Sequence, residues 1–240
     1  ERFGTPLSFG TAGLRTPAGM GPSWLNRYTA ARTARALGRR LLARGDTYAS
    51  AGVCIGYDAR HFSDVMAQTA ADALRELSIP VYLFSAPRPT PELAFAVRTL
   101  SAAAGICMTA SHNPPQYIGL KVYWQGGAQI DDALASEIAQ QMACMDALAP
   151  LPPRADDLAM LGREMDERFI VSSLACPGAC GDIAACPDLP VVYTPFHGVG
   201  GAITPAVLRR AGLRQLYCVT EQMEPDGDFP TTPDPNPEVP

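Results

Sequence analysis

Short apolar runs alternate with longer amphipathic stretches over the first half of the chain, and this alternation constrains the fold most strongly. Residues 53–57, 81–84 and 104–108 are apolar runs that predict buried strands. Helical spacing connects Met66 to Leu77, and a second helix is expected from Thr90, as its N-cap, to about Leu100. Because strands that alternate with helices form parallel sheets covered by helices, we predict an α/β fold with a mixed, mostly parallel sheet sandwiched by helices.

Proline residues at 150, 152 and 153 predict a linker and divide the chain into two α/β domains, 1–150 and 151–240. The second domain is expected to be incomplete. It should contain a helix over 161–174, followed by a strand, a helix and a strand over 191–193, 203–211 and 216–220.

A further helix is predicted within residues 24–42, with apolar and basic residues on different sides. Leu25, Tyr28, Leu37 and Leu41 fall on the apolar side, whereas arginines recur at positions 32, 35 and 39. We interpret the arginine stripe as a solvated face in preference to a polyphosphate site.

Composition and charge exclude several classes of function. The net charge is −5 and the pI is about 5.2, so the chain has no general attraction for nucleic acid or anionic membranes. No apolar run is long enough to span a bilayer and no leader pattern is visible, so we expect a cytoplasmic location.

The cysteine and glycine patterns do not indicate a metal or nucleotide site. The odd total of seven cysteines disfavours a disulfide framework, and Cys54, Cys107 and Cys218 are expected in buried strands. Cys176, Cys180 and Cys186 fit no usual zinc spacing. The glycines at 198, 200 and 201 lack the third glycine of a dinucleotide motif, because Ile203 stands there.

A loop rich in chemically active groups follows the strand that ends at Met108. It carries Thr109, Ser111, His112 and Asn113, and Lys121 stands just beyond it. A hydrolase is a poor fit, because adjacent side chains on an extended loop point apart and no Gly-x-Ser-x-Gly motif surrounds Ser111. A phosphorylated Ser111 fits better, because His112, Lys121 and the loop amides would surround its negative charge.

These residues, with Pro114 and Gly119, resemble the phosphoserine loop of the α-D-phosphohexomutase superfamily. Four other segments match the superfamily in order: 9–15, 56–63, 193–200 and 229–238. The first and last of them look closest to the branch that holds phosphoglucomutase and phosphopentomutase activities. Ile118 and Leu120 depart from the family pattern, which usually has asparagine and an aromatic residue at these positions.

The resemblance implies a mutase that interconverts hexose 1-phosphate and hexose 6-phosphate through a phosphoserine and a bisphosphate intermediate. Ser111 would carry the phosphoryl group, Arg15 and Lys121 would supply positive charge, and Lys121 and His112 would share acid/base duty. Thr109, Asn113 and Arg60 are implied substrate or phosphate contacts. Asp58 and Arg60 are expected to form a structural pair, and His197 to satisfy a turn.

The resemblance also implies Mg²⁺, bound through the phosphate on Ser111 and through aspartates expected beyond Pro240, and a sugar 1,6-bisphosphate activator. The expected partner is a small sugar phosphate. These 240 residues alone are expected to be inactive, because the metal loop and two further domains would be missing. A phosphopentomutase, a sugar-bisphosphate synthase and a catalytically silent sugar-phosphate binder stay open as alternatives, as do the preferred sugar and the oligomeric state.

Overall fold

The computed structural model describes residues 2–4, 7, 13–176, 181–232 and 236. Six strands form one mixed sheet in the order β1-β5-β4-β2-β3-β6. They are β1 (Leu14–Pro17), β2 (Val53–Tyr57), β3 (Val81–Phe84), β4 (Ala104–Met108), β5 (Tyr117–Trp124) and β6 (Ala159–Leu161). The pairs β2/β3, β2/β4 and β3/β6 are parallel, whereas β5 is antiparallel to both β1 and β4. The predicted α/β class and mixed, mostly parallel sheet are confirmed.

Helices cover both faces of this sheet. The helices are α1 (Arg27–Leu42), α2 (Asp46–Ala49), α3 (Ser63–Glu76), α4 (Thr90–Thr99), α5 (Asp132–Ala143) and α6 (Arg163–Leu174). Helices α1, α3 and α5 share one apolar core with Val53 and Ile55. Cys54 lies between those two strand residues and belongs to a second core with α4. Because successive strand residues face opposite sides, the two cores lie on opposite faces of the sheet.

A smaller unit follows the six-stranded sheet. It contains α7 (Gly181–Ala185), α8 (Ile203–Arg210) and a short 3₁₀ helix (Thr220–Gln222). Its strands β7 (Val191–Tyr193) and β8 (Leu216–Cys218) pair in parallel. Strand β6 joins the first sheet, so that sheet continues past residue 150. The predicted division of the chain at 150 stays a prediction.

Several local predictions are corrected. Helix α6 begins at Arg163, because Leu161 ends β6. Helix α4 has Pro89 at its N-cap, and Thr90 is its first residue. On α1, Tyr28 is 42% exposed whereas Arg32 is only 9% exposed, so the expected apolar and solvated sides are partly exchanged.

The beginning of α1 illustrates how local chemistry places a helix. Asn26 accepts hydrogen bonds from the amides of Tyr28 and Thr29, and the Thr29 hydroxyl accepts one from the Asn26 amide. Such reciprocal capping satisfies amides that a helix start leaves free, and is worth about 1 kcal/mol.

Among the described residues, no helix is long and apolar enough to cross a membrane.

The predicted burial of cysteines is confirmed at two positions. Cys54 and Cys107 are buried in adjacent strands, and burial raises the pKa of the Cys54 thiol to about 12. Cys218 is only half-buried. Cys180 lies outside the described residues.

Candidate active site

A cavity of about 440 Å³ lies at the carboxyl ends of β2 and β4. Four parts of the chain line it: residues 58–60 after β2, residues 89–91 at the start of α4, the loop after β4 with Lys121 of β5, and residues 195–199 after β7 with Phe229. In open α/β folds, ligands bind outside the carboxyl ends of strands. The cavity therefore has the position that the fold class predicts for a ligand site.

Ser111 is exposed to this cavity on strained backbone. Its φ angle is 58°, in the left-handed region that a residue other than glycine rarely adopts. The Ser111 amide donates to the Thr109 hydroxyl at 3.0 Å. Such a conformation costs on the order of 1–3 kcal/mol and persists only where surrounding contacts enforce it.

Arg60 supplies those contacts. It is nearly fully buried, and its Nη1 donates to the carbonyl oxygens of Pro114 and Tyr117 at 2.9 and 3.0 Å. Its Nη2 donates to the carbonyls of Ser111, at 2.9 Å, and Asn113. These four bonds use all four terminal N–H groups of the guanidinium. Arg60 therefore clamps the loop, and its predicted direct contact with phosphate stays a prediction.

Asp58 orients Arg60 from the turn after β2. One carboxylate oxygen accepts from the Arg60 amide at 3.0 Å and from the Ser63 hydroxyl at 2.7 Å. The other lies 3.4 Å from Arg60 Nε. This contact is the structural pair that the sequence predicted.

Gly119 lets the loop approach the neighbouring strand closely. A Cβ atom at this position would lie 2.2 Å from the Thr109 carbonyl oxygen. The Gly119 carbonyl accepts a hydrogen bond from the Thr109 amide at 2.9 Å. Only glycine fits at this position of β5, because the start of the loop packs directly against it. Close packing therefore explains the glycine of the motif.

Lys121 and His112 also line the cavity. Lys121 is half-buried, and burial lowers the pKa of its ammonium, with a further contribution from the nearby Arg15 charge. His112 is exposed and has no hydrogen-bond partner among the described residues. Ser111, His112, Lys121, Thr109 and Arg60 are thus brought together at one cavity.

Arg15 and Asn113 are not among the residues that line the cavity. Arg15 Nη1 donates to Asn113 Oδ1 at 3.1 Å, which ties β1 to the loop. The Nε of Arg15 is buried without a hydrogen-bond partner among the described residues. Their predicted phosphate contacts stay predictions. Phe9 to Ala12 of the same motif lie outside the described residues, as do most residues from Pro233 onward.

Sequence reasoning missed the contribution of the second unit to this cavity. Phe196, His197 and Phe229 line it, and the Phe229 ring lies 5.2 Å from the Arg60 guanidinium carbon. His197 is buried, its Nε2 is 2.8 Å from the Thr231 hydroxyl and its Nδ1 is 3.3 Å from the Glu224 carbonyl oxygen. It holds its own turn together, as expected. All three residues belong to the segments 193–200 and 229–238, which match family motifs, but none of them was assigned to the cavity from the sequence.

The described residues do not by themselves fit a metal ion. No group of three or more histidine, cysteine, aspartate or glutamate side chains within that part of the chain could hold one. Magnesium prefers several oxygen ligands in a compact arrangement. The predicted site would need ligands besides a phosphate on Ser111.

Comparison with protein families decides the relationship. The model for phosphoglucomutase/phosphomannomutase α/β/α domain I matches residues 6–148, and the model for domain II matches residues 180–240. The chain belongs to the phosphoglucomutase/phosphomannomutase family. The resemblance identified from the sequence motifs is confirmed.

Individual relatives agree with this assignment. The chain is 38% identical over 247 residues to a phosphoglucomutase of Staphylococcus haemolyticus, and the match covers 99% of the chain but 43% of that protein. A phosphoglucomutase of Staphylococcus aureus is 35% identical over 253 residues, with the same coverage. A putative phosphomannomutase from Thermus thermophilus has a TM-score of 0.78 and 32% identity, over 95% of this chain and 48% of the other. This phosphoglucomutase/phosphomannomutase chain thus spans less than half the length of these relatives.

Proposed function

We propose that this protein is a phosphosugar mutase that interconverts hexose 1-phosphate and hexose 6-phosphate through a phosphorylated Ser111. The observation that carries the proposal is Ser111 itself, which lies at the rim of the cavity in a strained conformation, on a loop that Arg60 holds by four hydrogen bonds, one of them to the Ser111 carbonyl. An exposed hydroxyl beside Lys121 and His112 suits a group that is repeatedly esterified and released.

In the proposed first half-reaction, a sugar hydroxyl oxygen attacks the phosphorus of phosphorylated Ser111. The new bond joins this oxygen to phosphorus, and the bond between phosphorus and Ser111 Oγ breaks. The hydroxyl proton passes to a base, and Oγ takes up a proton as it leaves. After the bisphosphate reorients, the reverse transfer of its other phosphoryl group restores the phosphoserine and completes the exchange.

Lys121 and His112 are the proposed proton carriers and sources of positive charge. Because burial lowers the pKa of Lys121, its ammonium gives up a proton more readily than an exposed lysine does. Charge that spreads over the transferring phosphoryl oxygens would be stabilised by Lys121, whereas a direct role of Arg15, which does not line the cavity, stays a prediction. Mg²⁺ and a sugar 1,6-bisphosphate activator stay predictions.

The proposal is tested by phosphopeptide mapping of the full-length protein together with mutase assays. Ser111→Ala should abolish the phosphopeptide and lower turnover by at least roughly 10³-fold, because it removes the atom that accepts the phosphoryl group. Ser101→Ala is the matched control. Ser101 is also exposed and also has a positive φ, 52°, but it lies at the opposite end of β4, and its replacement should leave turnover unchanged.

An unmodified Ser111 together with a fully active Ser111→Ala variant would overturn the proposal. Assays with glucose, mannose and ribose phosphates would identify the preferred sugar. Turnover that needs no bisphosphate primer and uses another phosphoryl donor would favour a sugar-bisphosphate synthase. Sugar-phosphate binding without any turnover would favour a silent binding protein.

A further inference from the structure

A second cavity, of about 400 Å³, lies beside α1 and shares no lining residue with the Ser111 cavity. Arg32, Arg35 and Arg39 line it from α1. Glu76 borders it from the end of α3, and residues 144–147 border it from the segment after α5. The arginine stripe that the sequence predicted as a solvated face is therefore one wall of a pocket.

Arg32 is the unusual member of this wall. The residue is only 9% exposed, and its Nε is buried without a hydrogen-bond partner among the residues that the structure describes. No ion pair or hydrogen bond joins its guanidinium to any residue in the described part of the chain. Burial lowers the pKa of Arg32. A buried cation without a counter-charge is costly, so this pocket is poised to accept an anion.

Each of the two carboxylates at the pocket accepts a hydrogen bond from a group other than Arg32 or Arg39. Glu76 Oε2 accepts from Arg35 Nε at 2.8 Å, and Asp146 Oδ1 accepts from the Leu148 amide at 2.9 Å. Arg35 also donates from Nη2 to the Pro150 carbonyl oxygen at 2.9 Å. Arg32 and the exposed Arg39 are left with their positive charges uncompensated by any described ion pair, and Tyr28 also lines the cavity.

We propose that this second cavity binds a phosphate group, either as inorganic phosphate or as the phosphate of a small monoester. Planar guanidinium groups form paired, charge-assisted hydrogen bonds with phosphate oxygens, and a dianion would compensate both Arg32 and Arg39. The site is separate from phosphoryl transfer at Ser111 and does not depend on it.

Cys144 provides a local readout, because it is exposed and lines the pocket. Cys176 and Cys186 are also exposed but lie elsewhere, so they are internal controls. The rate of alkylation of each thiol by neutral iodoacetamide is measured in the full-length protein with inorganic phosphate and with sodium chloride of equal ionic strength. We expect phosphate to slow Cys144 several-fold and to leave the two control thiols unchanged.

Arg32→Met should abolish this protection, and Arg39→Met should weaken it. Arg40→Met is the matched control, because Arg40 is on the same helix but pairs with Glu137 outside the pocket. It should keep full protection, as should Lys121→Ala at the other cavity. Parallel titrations measure protection of Cys144 by glucose 6-phosphate and by glucose. Protection by glucose 6-phosphate but not by glucose would show that the site accepts a phosphate monoester as well as free phosphate.

Two results would overturn the proposal. One is equal reactivity of wild-type Cys144 in phosphate and in sodium chloride, a measurement that does not depend on whether any variant folds. The other is protection that persists in a folded Arg32→Met variant. Neither result bears on phosphorylation of Ser111, so failure here is distinguishable from failure of the proposed mutase activity.

Discussion

Single residues explain why the Ser111 loop keeps its shape. The strain at Ser111 is a property of one backbone angle. Its energetic cost is offset by hydrogen bonds from one buried guanidinium, that of Arg60. The geometry of arginine matters here as much as its charge, because four carbonyl oxygens are reached from one planar group.

Arg60→Lys tests the importance of that planar group. The variant keeps the positive charge but a lysine ammonium cannot reach the four carbonyls, so we expect about 3 kcal/mol or more of lost unfolding free energy. Phosphorylation of Ser111 should fall at least roughly 10²-fold, because the hydroxyl is no longer positioned. Urea denaturation and mass spectrometry measure the two effects. Arg75→Lys, at an exposed ion pair with Asp157, is the control and should change little.

Gly119→Ala tests the close approach between β5 and the loop. The added Cβ would lie 2.2 Å from the Thr109 carbonyl oxygen, so the strand or the loop must move, at a cost of about 2 kcal/mol or more. Gly56→Ala is a suitable comparison, because its Cβ would meet Phe84 at an ordinary 3.5 Å. Thermal denaturation should show a much larger loss for Gly119→Ala. Similar losses at the two positions would contradict the packing argument.

Whole elements differ in how far their sequences predict them. The buried parallel strands β2, β3 and β4 are continuous apolar runs, and their bounds match the prediction. Strands β1, β5 and β6 were not identified from the sequence. Strands β1 and β5 are antiparallel and contain polar residues, so neither is a continuous apolar run. Strand β6 is short and mostly exposed. Such strands are defined by the partner against which they pair, and that partner is distant in sequence.

The contact between α4 and α6 contains a buried carboxyl group. Glu92 of α4 is fully buried, and neither of its carboxyl oxygens has a hydrogen-bond partner among the described residues. Arg88 donates to both oxygens of Asp166 on α6, at 2.8 and 2.7 Å, and its Nε lies 4.0 Å from Glu92. Burial, together with the neighbouring Asp166, raises the pKa of Glu92 to about 8.

This raised pKa predicts a pH dependence of stability. Between about pH 4.5 and pH 8 the folded chain keeps a proton on Glu92 that the unfolded chain has lost, so the unfolding free energy decreases as the pH rises. The loss from this group is at most about 1.4 kcal/mol per pH unit. Glu92→Gln should remove this contribution. The unfolding free energy of the variant minus that of the wild type should therefore increase as the pH rises across this window. Denaturation at several pH values measures it, with the exposed Glu164→Gln as control; parallel curves for wild type and Glu92→Gln would refute it.

At the scale of the whole molecule, the smaller unit completes the cavity that the six-stranded sheet begins. Residues 226–229 lie against the turn after β2, where His61 Nε2 is 2.7 Å from Asp228 Oδ1 and the Phe229 ring covers Arg60. The guanidinium that clamps the Ser111 loop is therefore itself held from both units. A cation above an aromatic ring gains roughly 0.5–2 kcal/mol, depending on how far it is desolvated.

Phe229→Ala tests this contact between the units. We expect faster hydrogen exchange at residues 195–199 and 220–232, because the ring that packs on Arg60 is removed, and little change in strands β2 and β4. Exchange followed by mass spectrometry makes the comparison. Phe62→Ala is the control, since Phe62 is 60% exposed. Unchanged exchange in the smaller unit of the Phe229 variant would show that the ring does not hold the two units together.

The amino-acid sequence by itself determined the family, the α/β class and the loop that carries Ser111, because these depend on local patterns of apolar residues and on motifs contiguous in the chain. Only the tertiary structure decided which neighbour each charged group meets. It assigned Arg60 to the loop carbonyls, placed Phe229 over that guanidinium and buried Arg32 beside a second cavity. Those outcomes depend on contacts between residues tens to hundreds of positions apart, which no local pattern encodes.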